Sequence, residues 1–283
     1  MADVSVMRIG EFDKVSPPED SPMGGMSFHR VRGGLGVESL GLSVIELPPE
    51  FSGYPDHDHA DGGQEEVFTP LEGRVALEAG GLGGERHQLE PGVFARVAPA
   101  TRRTFVTGDG PATLIALGGT PGEAYSAPEK PTDGLTMYSP GEAPQTEGVE
   151  VTVIAANDCE GTYGGAMKKV RAELGVSSFG LQMLDLPAGL TLYPEHDHAE
   201  SGQEEIYIGI DGHAVLLIGG EDGERFEIEP GTFARVGPAE RRKIITEDSP
   251  ARLIALGAIP GRPYEVAAMT EKGAPDPFAP PQN

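Results

Sequence analysis

The decapeptide HDHADGGQEE at residues 57–66 occurs again, with two changes, as HDHAESGQEE at residues 196–205. Each copy places two histidines and two glutamates close together. The similarity continues on both sides: with a shift of 139 residues, LEPGVFARVAPATRRTF matches IEPGTFARVGPAERRKI, and VRGGLGVESLGL matches VRAELGVSSFGL. One shift serves from Tyr54 to Tyr125, so the sequence predicts a unit of domain size that is used twice.

This repeat predicts two homologous domains, at residues 1–139 and 140–283. Between them, residues 126–148 (SAPEKPTDGLTMYSPGEAPQTEG) are rich in proline, glycine and polar side chains, which is typical of a linker. The C-terminal GAPDPFAPPQN is predicted to be a flexible tail. A chain of 283 residues is long enough for two domains of ordinary size.

Short alternating segments, separated by glycine and proline, run through both copies. SLGLSVIELP and SFGLQMLDLP alternate as half-buried strands do, and VALEAGGLGGERHQLEP is typical of a hairpin with a glycine-rich turn. Pro70 and Gly209 share one repeat position, and both weaken a strand, so a bulge or a sheet edge is expected there. Together these patterns predict an all-β fold of sandwiches or barrels.

The charge and composition limit the partners and the location. A formal net charge of −24 disfavours nucleic acid and anionic membranes as partners. The chain contains no apolar run of about 18 residues that could span a bilayer, and MADVSVMRIGEFDK lacks the apolar core of a signal peptide. Cys159 is the single cysteine, so an intramolecular disulfide is impossible. We therefore expect a cytoplasmic protein.

The spacing of the histidines predicts a metal site. On a strand, residues i and i+2 point to the same face, so His57 and His59 are expected to project together. In the next predicted strand, Gln64 and Glu66 share one face and Glu65 takes the other. If the two strands pair in antiparallel fashion, two imidazoles meet one carboxylate. Such N and O ligands suit Fe, Mn, Ni, Cu or Zn.

The second copy repeats this set as His196, His198 and Glu205, so we expect a divalent transition metal in each domain. Gln64 and Gln203 compete with the glutamates, because each also faces the histidines. A carboxylate is the better ligand for a hard cation, so the glutamines are interpreted as hydrogen-bond partners of the ligands.

Together these motifs resemble those of the cupin superfamily, and the two copies resemble a bicupin. The first cupin motif is a glycine, an HxH pair, three or four residues, a glutamate, six residues and a glycine. Here Glu66 is followed after six residues by Gly73, and Glu205 by Gly212. PGVFARVAP and PGTFARVGP resemble the start of the second motif. The resemblance implies two tandem cupin barrels of the double-stranded β-helix or jelly-roll type. We expect them to pack as an intramolecular pseudo-dimer that could form homo-oligomers.

The sequence departs from the cupin pattern in three respects. The gap between the second histidine and the glutamate is two or three residues longer than usual, and the leading glycine is misplaced. The third metal-binding histidine is absent: counting from the motif's glycine places Arg103 and Arg242 there, and counting from its proline places Thr104 and Lys243. Because arginine does not ligate metals, the family's three-histidine, one-glutamate site is not carried over.

Two interpretations of the arginines stay open. In one, two histidines and a glutamate hold the metal as a facial triad, and Arg103 and Arg242 clamp an anionic substrate. The resemblance then implies a metal-dependent enzyme of oxygenase or isomerase type that acts on a small anionic molecule. In the other, the arginine replaces the metal and pairs with the glutamate. The protein would then be a non-catalytic small-molecule-binding or sensing cupin. A structural protein that has lost its activity is a third hypothesis.

Two further pairs of residues occur in both copies. Arg96 and Arg235 are predicted to form structural ion pairs, because the chain is so acidic. Tyr54 and Tyr193 are predicted, from strand alternation, to face away from the histidines and to pack in the core.

Overall fold

The computed structural model describes residues 2–130, 132–220 and 222–276. Within these ranges the chain is built mainly from β-strands, with two α-helices of five residues each, which confirms the prediction of an all-β fold. We call residues 2–139 the N-terminal half and residues 140–276 the C-terminal half. No helix in the described ranges is both long and apolar enough to cross a membrane.

The elements occur in nearly the same order in the two halves. The N-terminal half contains β1 (Val4–Arg8), β2 (Lys14–Val15), β3 (Ser27–His29), β4 (Gly41–Leu47), β5 (His57–Asp58), β6 (Glu65–Ala79), β7 (Glu85–Leu89), β8 (Val93–Val97), β9 (Arg103–Gly119) and β10 (Thr136–Met137). The C-terminal half contains β11 (Val151–Ala155), β12 (Gly161–Thr162), β13 (Met167–Lys168), β14 (Gly180–Leu186), β15 (Glu204–Gly212), β16 (Ala214–Ile218), β17 (Glu224–Ile228), β18 (Thr232–Val236), β19 (Arg242–Ile245) and β20 (Ala251–Ala258). The helices are α1 (Val31–Leu35) and α2 (Val170–Leu174), and 3-10 turns cover Ile9–Glu11, Ala156–Asp158 and Ala268–Thr270.

Two large antiparallel sheets have corresponding strand orders. The first runs β11-β8-β6-β9-β4-β3-β2 and the second runs β1-β18-β15-β20-β14-β13-β12. A third sheet, β17-β16-β19, corresponds to β7 with the far end of β6 and the near end of β9. In the N-terminal half, β6 and β9 run through both parts, so the equivalent of the third sheet is continuous with the large sheet. The register of β6 shifts between Gly73 and Val75. At the corresponding place in the C-terminal half, the strand is divided into β15, which ends at Gly212, and β16, which begins at Ala214.

The first strand of each half lies in the sheet of the other half. Val4 on β1 is opposite Val236 on β18, and Val151 on β11 is opposite Val97 on β8. Both strands are the outermost members of their sheets. A cut at residue 139 would therefore deprive each sheet of its edge strand.

Strand alternation sorts the apolar side chains into three cores. On β4, Leu42 and Val44 belong to one cluster, and Ile45 and Leu47 belong to another that lies within the N-terminal half. A matching cluster fills the C-terminal half. The cluster of Leu42 and Val44 also contains C-terminal residues such as Phe233. Because a fully buried Val, Leu or Phe side chain contributes about 1.5–3 kcal/mol, this shared layer makes the two halves interdependent.

The buried carboxylate of Glu65, which precedes the candidate ligand Glu66 in the sequence, connects the two halves. The Glu65 side chain is fully buried, and its Oε1 accepts hydrogen bonds from the backbone amides of Ser177 and Ser178 at 2.8 and 3.0 Å. Its Oε2 pairs with Arg96 Nε at 2.5 Å. Charge-assisted bonds of this kind are about twice as strong as neutral ones, so Glu65 fixes β6 against the C-terminal half.

The C-terminal half makes the same contact in reverse. Glu204 is fully buried and accepts hydrogen bonds from the amides of Glu38 and Ser39, each at 2.8 Å, and its other oxygen lies 2.6 Å from Arg235 Nε. The prediction that Arg96 and Arg235 form structural ion pairs is confirmed.

Of the two predicted alternatives, a bulge or a sheet edge, the structure shows a bulge in both long strands. The register shifts between Pro70 and Glu72 on β6, and between Gly209 and Asp211 on β15. A Cβ atom at Gly209 would lie only 2.0 Å from the Glu229 carbonyl oxygen, so this close backbone approach requires glycine.

The end of the described chain packs against the C-terminal half. The Ala274 carbonyl accepts a hydrogen bond from Lys169 Nζ at 2.9 Å, and the Asp276 carboxylate accepts hydrogen bonds from the amides of Tyr163 and Gly164, each at 2.9 Å. The first residues of the predicted flexible tail are thus held in place, which corrects that prediction for residues 273–276. Residues 277–283 lie outside the described residues.

Candidate metal centres

The N-terminal centre brings His57, His59 and Glu66 together. His57 lies on β5, and Glu66 is the second residue of β6, on the same strand face as Phe68 of the N-terminal core. Glu66 Oε2 lies 3.2 Å from His59 Nε2 and 3.7 Å from His57 Nε2. One donor atom from each of the three side chains lies within 4.8 Å of the other two.

The strand pairing behind this contact differs from the expected one. Strand β5 pairs with β9 and β10 rather than with β6, so that His57 lies opposite Arg103 and Met137. The predicted pairing of the histidine strand with the glutamate strand is therefore wrong. His57 on β5 and Glu66 on β6 therefore meet through their side chains, although the two strands are not hydrogen-bonded to each other.

The C-terminal centre repeats the arrangement with His196, His198 and Glu205. His196 Nε2 lies 3.3 Å from Glu205 Oε2, and His198 Nε2 lies 3.4 Å from Glu205 Oε1. An isolated bridge pairs His196 with Arg242, as β5 pairs with β9 in the N-terminal half. Both sets of predicted ligands are thus brought together.

The backbone fixes the protonation of one histidine in each centre. His57 Nδ1 lies 3.0 Å from the Pro55 carbonyl oxygen, and His196 Nδ1 lies 3.0 Å from that of Pro194. Because a carbonyl oxygen can only accept, Nδ1 carries the proton in this contact. Nε2 is then the nitrogen that faces the glutamate: in the protonated ring it donates to the carboxylate, and in the neutral ring its lone pair is the one that a metal ligand needs.

Each centre contains one of the predicted arginines. Arg103 is fully buried, its Nε lies 3.1 Å from Glu66 Oε2, and its Nη1 donates to the Thr101 carbonyl at 2.8 Å. Thr104, the other position that the motif spacing allowed, bonds the Tyr54 carbonyl instead.

Arg242 occupies the same place in the C-terminal centre. It is fully buried, its Nε lies 3.5 Å from Glu205 Oε2, and its Nη2 donates to the Gly237 carbonyl at 2.6 Å. Each arginine is thus anchored by a backbone carbonyl and directed at the carboxylate, so each centre combines a positive side chain with the ligand set.

Opposing effects act on the charges of the centres. Burial raises the pKa of Glu66, but the charges of His59 and Arg103 outweigh it and leave the pKa well below its usual value. The pKa of Glu205 is lowered in the same way: burial acts against the shift, and hydrogen bonds with the two imidazoles outweigh it. Both carboxylates are therefore ionised at neutral pH, as metal ligands must be.

The glutamines lie beside the ligands rather than in place of them. The Gln64 amide packs against Gly118, where a Cβ atom would be 2.7 Å from its Nε2, and the Gln203 amide packs against Gly257 in the same way, at 2.5 Å. Gln203 Nε2 also lies 3.4 Å from His198 Nε2. This placement fits the expected role of a neighbour to the ligands.

The prediction that Tyr54 and Tyr193 face away from the histidines is wrong. The Tyr54 ring centroid lies 6.0 Å from that of His57, and the Tyr193 centroid lies 6.2 Å from that of His196. Tyr54 also packs edge-on against Phe105 at 5.0 Å, as a core residue would. Strand alternation failed here because the segment before each histidine pair is not a regular strand.

The segment predicted to be a linker covers the N-terminal centre. Strand β10 lies within it and pairs with β5, and the Tyr138 hydroxyl donates a 2.5 Å hydrogen bond to Asp58 Oδ2. Arg102 forms an ion pair with Asp56 at 2.6 Å, and its guanidinium carbon stands 3.9 Å above the Tyr138 ring. The interpretation of residues 126–148 as a simple linker is therefore corrected: part of the segment belongs to the wall of the site.

The two centres differ in exposure as a result. The His57 and His59 side chains are 6% and 9% exposed, whereas those of His196 and His198 are 29% and 23% exposed. Sequence reasoning missed Tyr138 because its segment lies outside the repeat. A tyrosine within the otherwise polar residues 126–148 was the one feature of the sequence that indicated packing there.

No family model and no curated protein sequence matches the chain. Solved structures do match. Protein Ylba from E. coli has a TM-score of 0.61 at 14% identity, with 93% of both chains covered. A putative glyoxylate-induced protein from Pseudomonas aeruginosa has a TM-score of 0.62 at 15% identity, with 93% of this chain and 91% of that chain covered. A variant of oxalate decarboxylase from Bacillus subtilis has a TM-score of 0.61 at 11% identity, covering 91% and 78%. The chain has a cupin fold.

This cupin fold places the HxH pair and the glutamate of the first motif at one point in each half. It also places Arg103 and Arg242 beside the glutamates.

Proposed function

We propose that the protein is a metal-binding bicupin in which each half holds one divalent transition metal. The observation that carries this proposal is the convergence, in both halves, of two imidazole Nε2 atoms on one carboxylate. Ligand atoms about 2.1 Å from a metal and at right angles to each other lie about 3 Å apart. The nitrogen–oxygen distances here are 3.2–3.7 Å, so little movement is needed. The donor set suits Fe, Mn, Ni, Cu or Zn.

Unsatisfied polar atoms support the same proposal. Among the described residues, His59 Nε2 and Glu66 Oε2 are buried and lack a hydrogen-bond partner of good geometry. A buried polar atom without a partner costs about 1–3 kcal/mol. A cation bound between these two atoms would satisfy both.

We infer that the ligand of each centre is small and anionic. A divalent metal, one arginine and one glutamate would together carry about two positive charges. In the described part of the chain, Arg103 Nη2 and Arg242 Nη1 are buried without a hydrogen-bond partner, whereas the Nε atoms of both arginines face the glutamates. The N–H groups on these two Nη atoms are therefore available to a carboxylate or a similar anion.

The chemistry that fits this site is that of a metal-dependent enzyme of oxygenase or isomerase type. When bound, a metal with two histidines and one carboxylate supplies Lewis acidity and leaves positions open to a ligand. Arg103 would orient the anion, the Pro55 carbonyl holds the His57 ring in position, and the segment around Tyr138 limits the access of water to the N-terminal centre.

Paired variants test the metal sites. We expect His57→Ala with His59→Ala, and separately His196→Ala with His198→Ala, each to remove about half of the bound metal. Metal content per chain is measured by mass spectrometry on protein purified without chelator and without a histidine-rich tag. Full metal content in both double variants would refute the proposed ligands.

A second pair of measurements tests the arginine. Arg103→Ala should keep its metal and bind malonate, a small dicarboxylate probe, more weakly by 10-fold or more, because a charge-assisted hydrogen bond contributes about 1.5–3 kcal/mol. The matched control is Arg74→Ala, which removes an exposed arginine from β6. Loss of metal from Arg103→Ala, with the fold retained, would contradict the role of an anion clamp.

A non-catalytic binding or sensing protein is the second candidate. One observation favours it: Arg103 Nε lies 3.1 Å from Glu66 Oε2 and already balances the charge of that carboxylate. If the arginine replaces the metal, the protein should bind malonate without metal, and reconstitution with Fe, Mn, Ni, Cu or Zn should leave the centres empty.

We further propose that the two halves arose by internal duplication and form two tandem cupin domains, at residues 1–139 and 140–283, that pack as a pseudo-dimer. The support is the shift of 139 residues, the corresponding strand orders of the two large sheets, and the reciprocal contacts of Glu65 and Glu204. The exchange of β1 and β11 gives a physical reason why the halves would remain in one chain.

A further inference from the structure

The two centres differ at one position beside the glutamate. Phe68 in the N-terminal half corresponds to Tyr207 in the C-terminal half, and both side chains are fully buried. Each follows its glutamate by two residues, on the same face of the strand. The Tyr207 hydroxyl donates a hydrogen bond of 2.7 Å to Glu205 Oε2. A phenyl ring has no such donor.

The carboxylates present their oxygens differently in the two centres. In the N-terminal centre, both imidazoles make their closest approach to the same oxygen, Glu66 Oε2. In the C-terminal centre, His196 approaches Oε2 of Glu205 and His198 approaches Oε1. The hydroxyl of Tyr207 is directed at Oε2, so it fixes which oxygen faces which imidazole.

The distance between the arginine and the glutamate also differs between the two centres. Arg103 Nε lies 3.1 Å from the Glu66 oxygen, whereas Arg242 Nε lies 3.5 Å from the Glu205 oxygen that Tyr207 already bonds. Tyr193 packs against the core cluster of the C-terminal half that contains Tyr207. At the repeat position of Tyr193, Tyr54 packs against a phenylalanine ring instead.

We propose that Tyr207 is a positioning residue that orients Glu205 and thereby sets the metal affinity and coordination geometry of the C-terminal centre. Hydrogen-bond partners of metal ligands hold the ligand in its binding orientation, and their loss typically weakens metal binding by about 10–100-fold. The N-terminal centre has no equivalent donor at this position, so the two centres should bind the same metal differently. This inference rests on the proposed function, because it requires a metal in the C-terminal centre.

The test uses cobalt(II) as the probe, because its visible absorption reports the number and geometry of its ligands. In a background that carries His57→Ala and His59→Ala, only the C-terminal centre binds. There, Tyr207→Phe should raise the Kd for cobalt by about 10–100-fold and change the absorption bands. The substitution keeps the buried ring and removes one oxygen atom, so the fold should be retained.

Two controls make the result specific. Tyr193→Phe removes a phenol without touching Glu205 and should raise the Kd less than Tyr207→Phe does. In the opposite background, His196→Ala with His198→Ala, Tyr207→Phe should leave the Kd and the spectrum of the N-terminal centre unchanged.

The outcomes separate this inference from the proposed function. An unchanged Kd and spectrum in Tyr207→Phe, while cobalt still binds, would overturn the positioning role and leave the metal sites standing. An equal effect on the N-terminal centre would overturn it as well, because the change would then be a general loss of stability. Absence of cobalt from the C-terminal centre before Tyr207 is changed would overturn both proposals.

Discussion

The N-terminal and C-terminal centres have the same candidate ligands at the same spacing but lie in different surroundings. His57 and His59 are nearly buried, because β10 pairs with β5 and Tyr138 bonds Asp58. His196 and His198 keep about a quarter of their surface exposed. The difference shows that the repeat determines the ligands, whereas segments outside the repeat determine access to them.

The segments that follow the two repeats take different paths. After the first repeat, Thr136–Met137 pair with β5 beside the N-terminal centre, and Gln145 accepts a hydrogen bond from the Arg102 amide at 2.9 Å. The corresponding segment after Tyr264 instead packs near α2, where Glu271 lies 3.0 Å from Arg171 Nη2. Two copies of one site thus acquire different accessibility without any change in their ligands.

The largest effect, on the free energy of unfolding, is expected for the buried glutamates that make equivalent contacts in the two halves. Glu65→Ala and Glu204→Ala should each lower the free energy of unfolding by about 3 kcal/mol, because each leaves two backbone amides and a partly buried arginine without their acceptor. Urea unfolding measures both. Glu72→Ala, an exposed change on β6, is the control and should have little effect. A large loss for one glutamate and none for the other would break the equivalence of the halves.

Access of a chelator should differ between the centres. EDTA should remove metal from the C-terminal centre at least about 10-fold faster, because the N-terminal centre opens only when the contacts of Tyr138 and β10 break. The two double histidine variants allow the rates to be measured separately. Equal rates would mean that the covering segment does not limit access.

Weakening the cover should reduce this difference. Tyr138→Phe removes the hydrogen bond to Asp58 and should accelerate the release of metal from the N-terminal centre by about 3–10-fold, since a hydrogen bond to a charged group contributes about 1.5–3 kcal/mol when shielded and less when partly exposed. Leu192→Ala, at an exposed position before the other histidine pair, should leave both rates unchanged. An unchanged rate of metal release in Tyr138→Phe would contradict a role of this hydrogen bond and would mean that the pairing of β10 alone limits access.

A smaller effect is expected in the alkaline titration. The hydrogen bond to Asp58 raises the pKa of Tyr138 to about 12, above the ordinary value of 10.0. A group whose folded pKa is raised contributes stability that is complete below its unfolded pKa. The contribution of Tyr138 should therefore persist to about pH 10 and disappear as the pH rises through about 12. The difference in phenolate absorbance between the protein and Tyr138→Phe measures this transition. A midpoint near pH 10 would show that the bond to Asp58 is absent in solution.

Much of the fold and of the candidate centres could be predicted from the sequence. The repeat and the period-two patterns indicated the strands, and the HxH spacing with Glu66 and Glu205 located the residues that the structure brings together. An irregularity at Pro70 and Gly209 was predictable because both residues weaken a strand ladder, although a sheet edge would have fitted as well as the observed bulge.

Other features depended on tertiary contacts that leave no local pattern. The exchange of β1 and β11 could not be predicted, because an edge strand looks the same in either sheet. The pairing of β5 with β9 was missed because a strand of two residues carries almost no periodicity. Tyr138 was missed because its segment has the composition of a linker, and its contacts with Asp58 and Arg102 leave no local pattern.

The most direct test of the metal proposal is a crystal structure with anomalous diffraction data, collected on protein loaded with manganese. We predict two anomalous peaks per chain, each within about 2.0–2.3 Å of two imidazole nitrogens and a glutamate oxygen. One peak would lie among His57, His59 and Glu66, and the other among His196, His198 and Glu205. Absence of both peaks, with Arg103 and Arg242 in contact with the glutamates, would contradict the account and show that the arginines take the place of the metal.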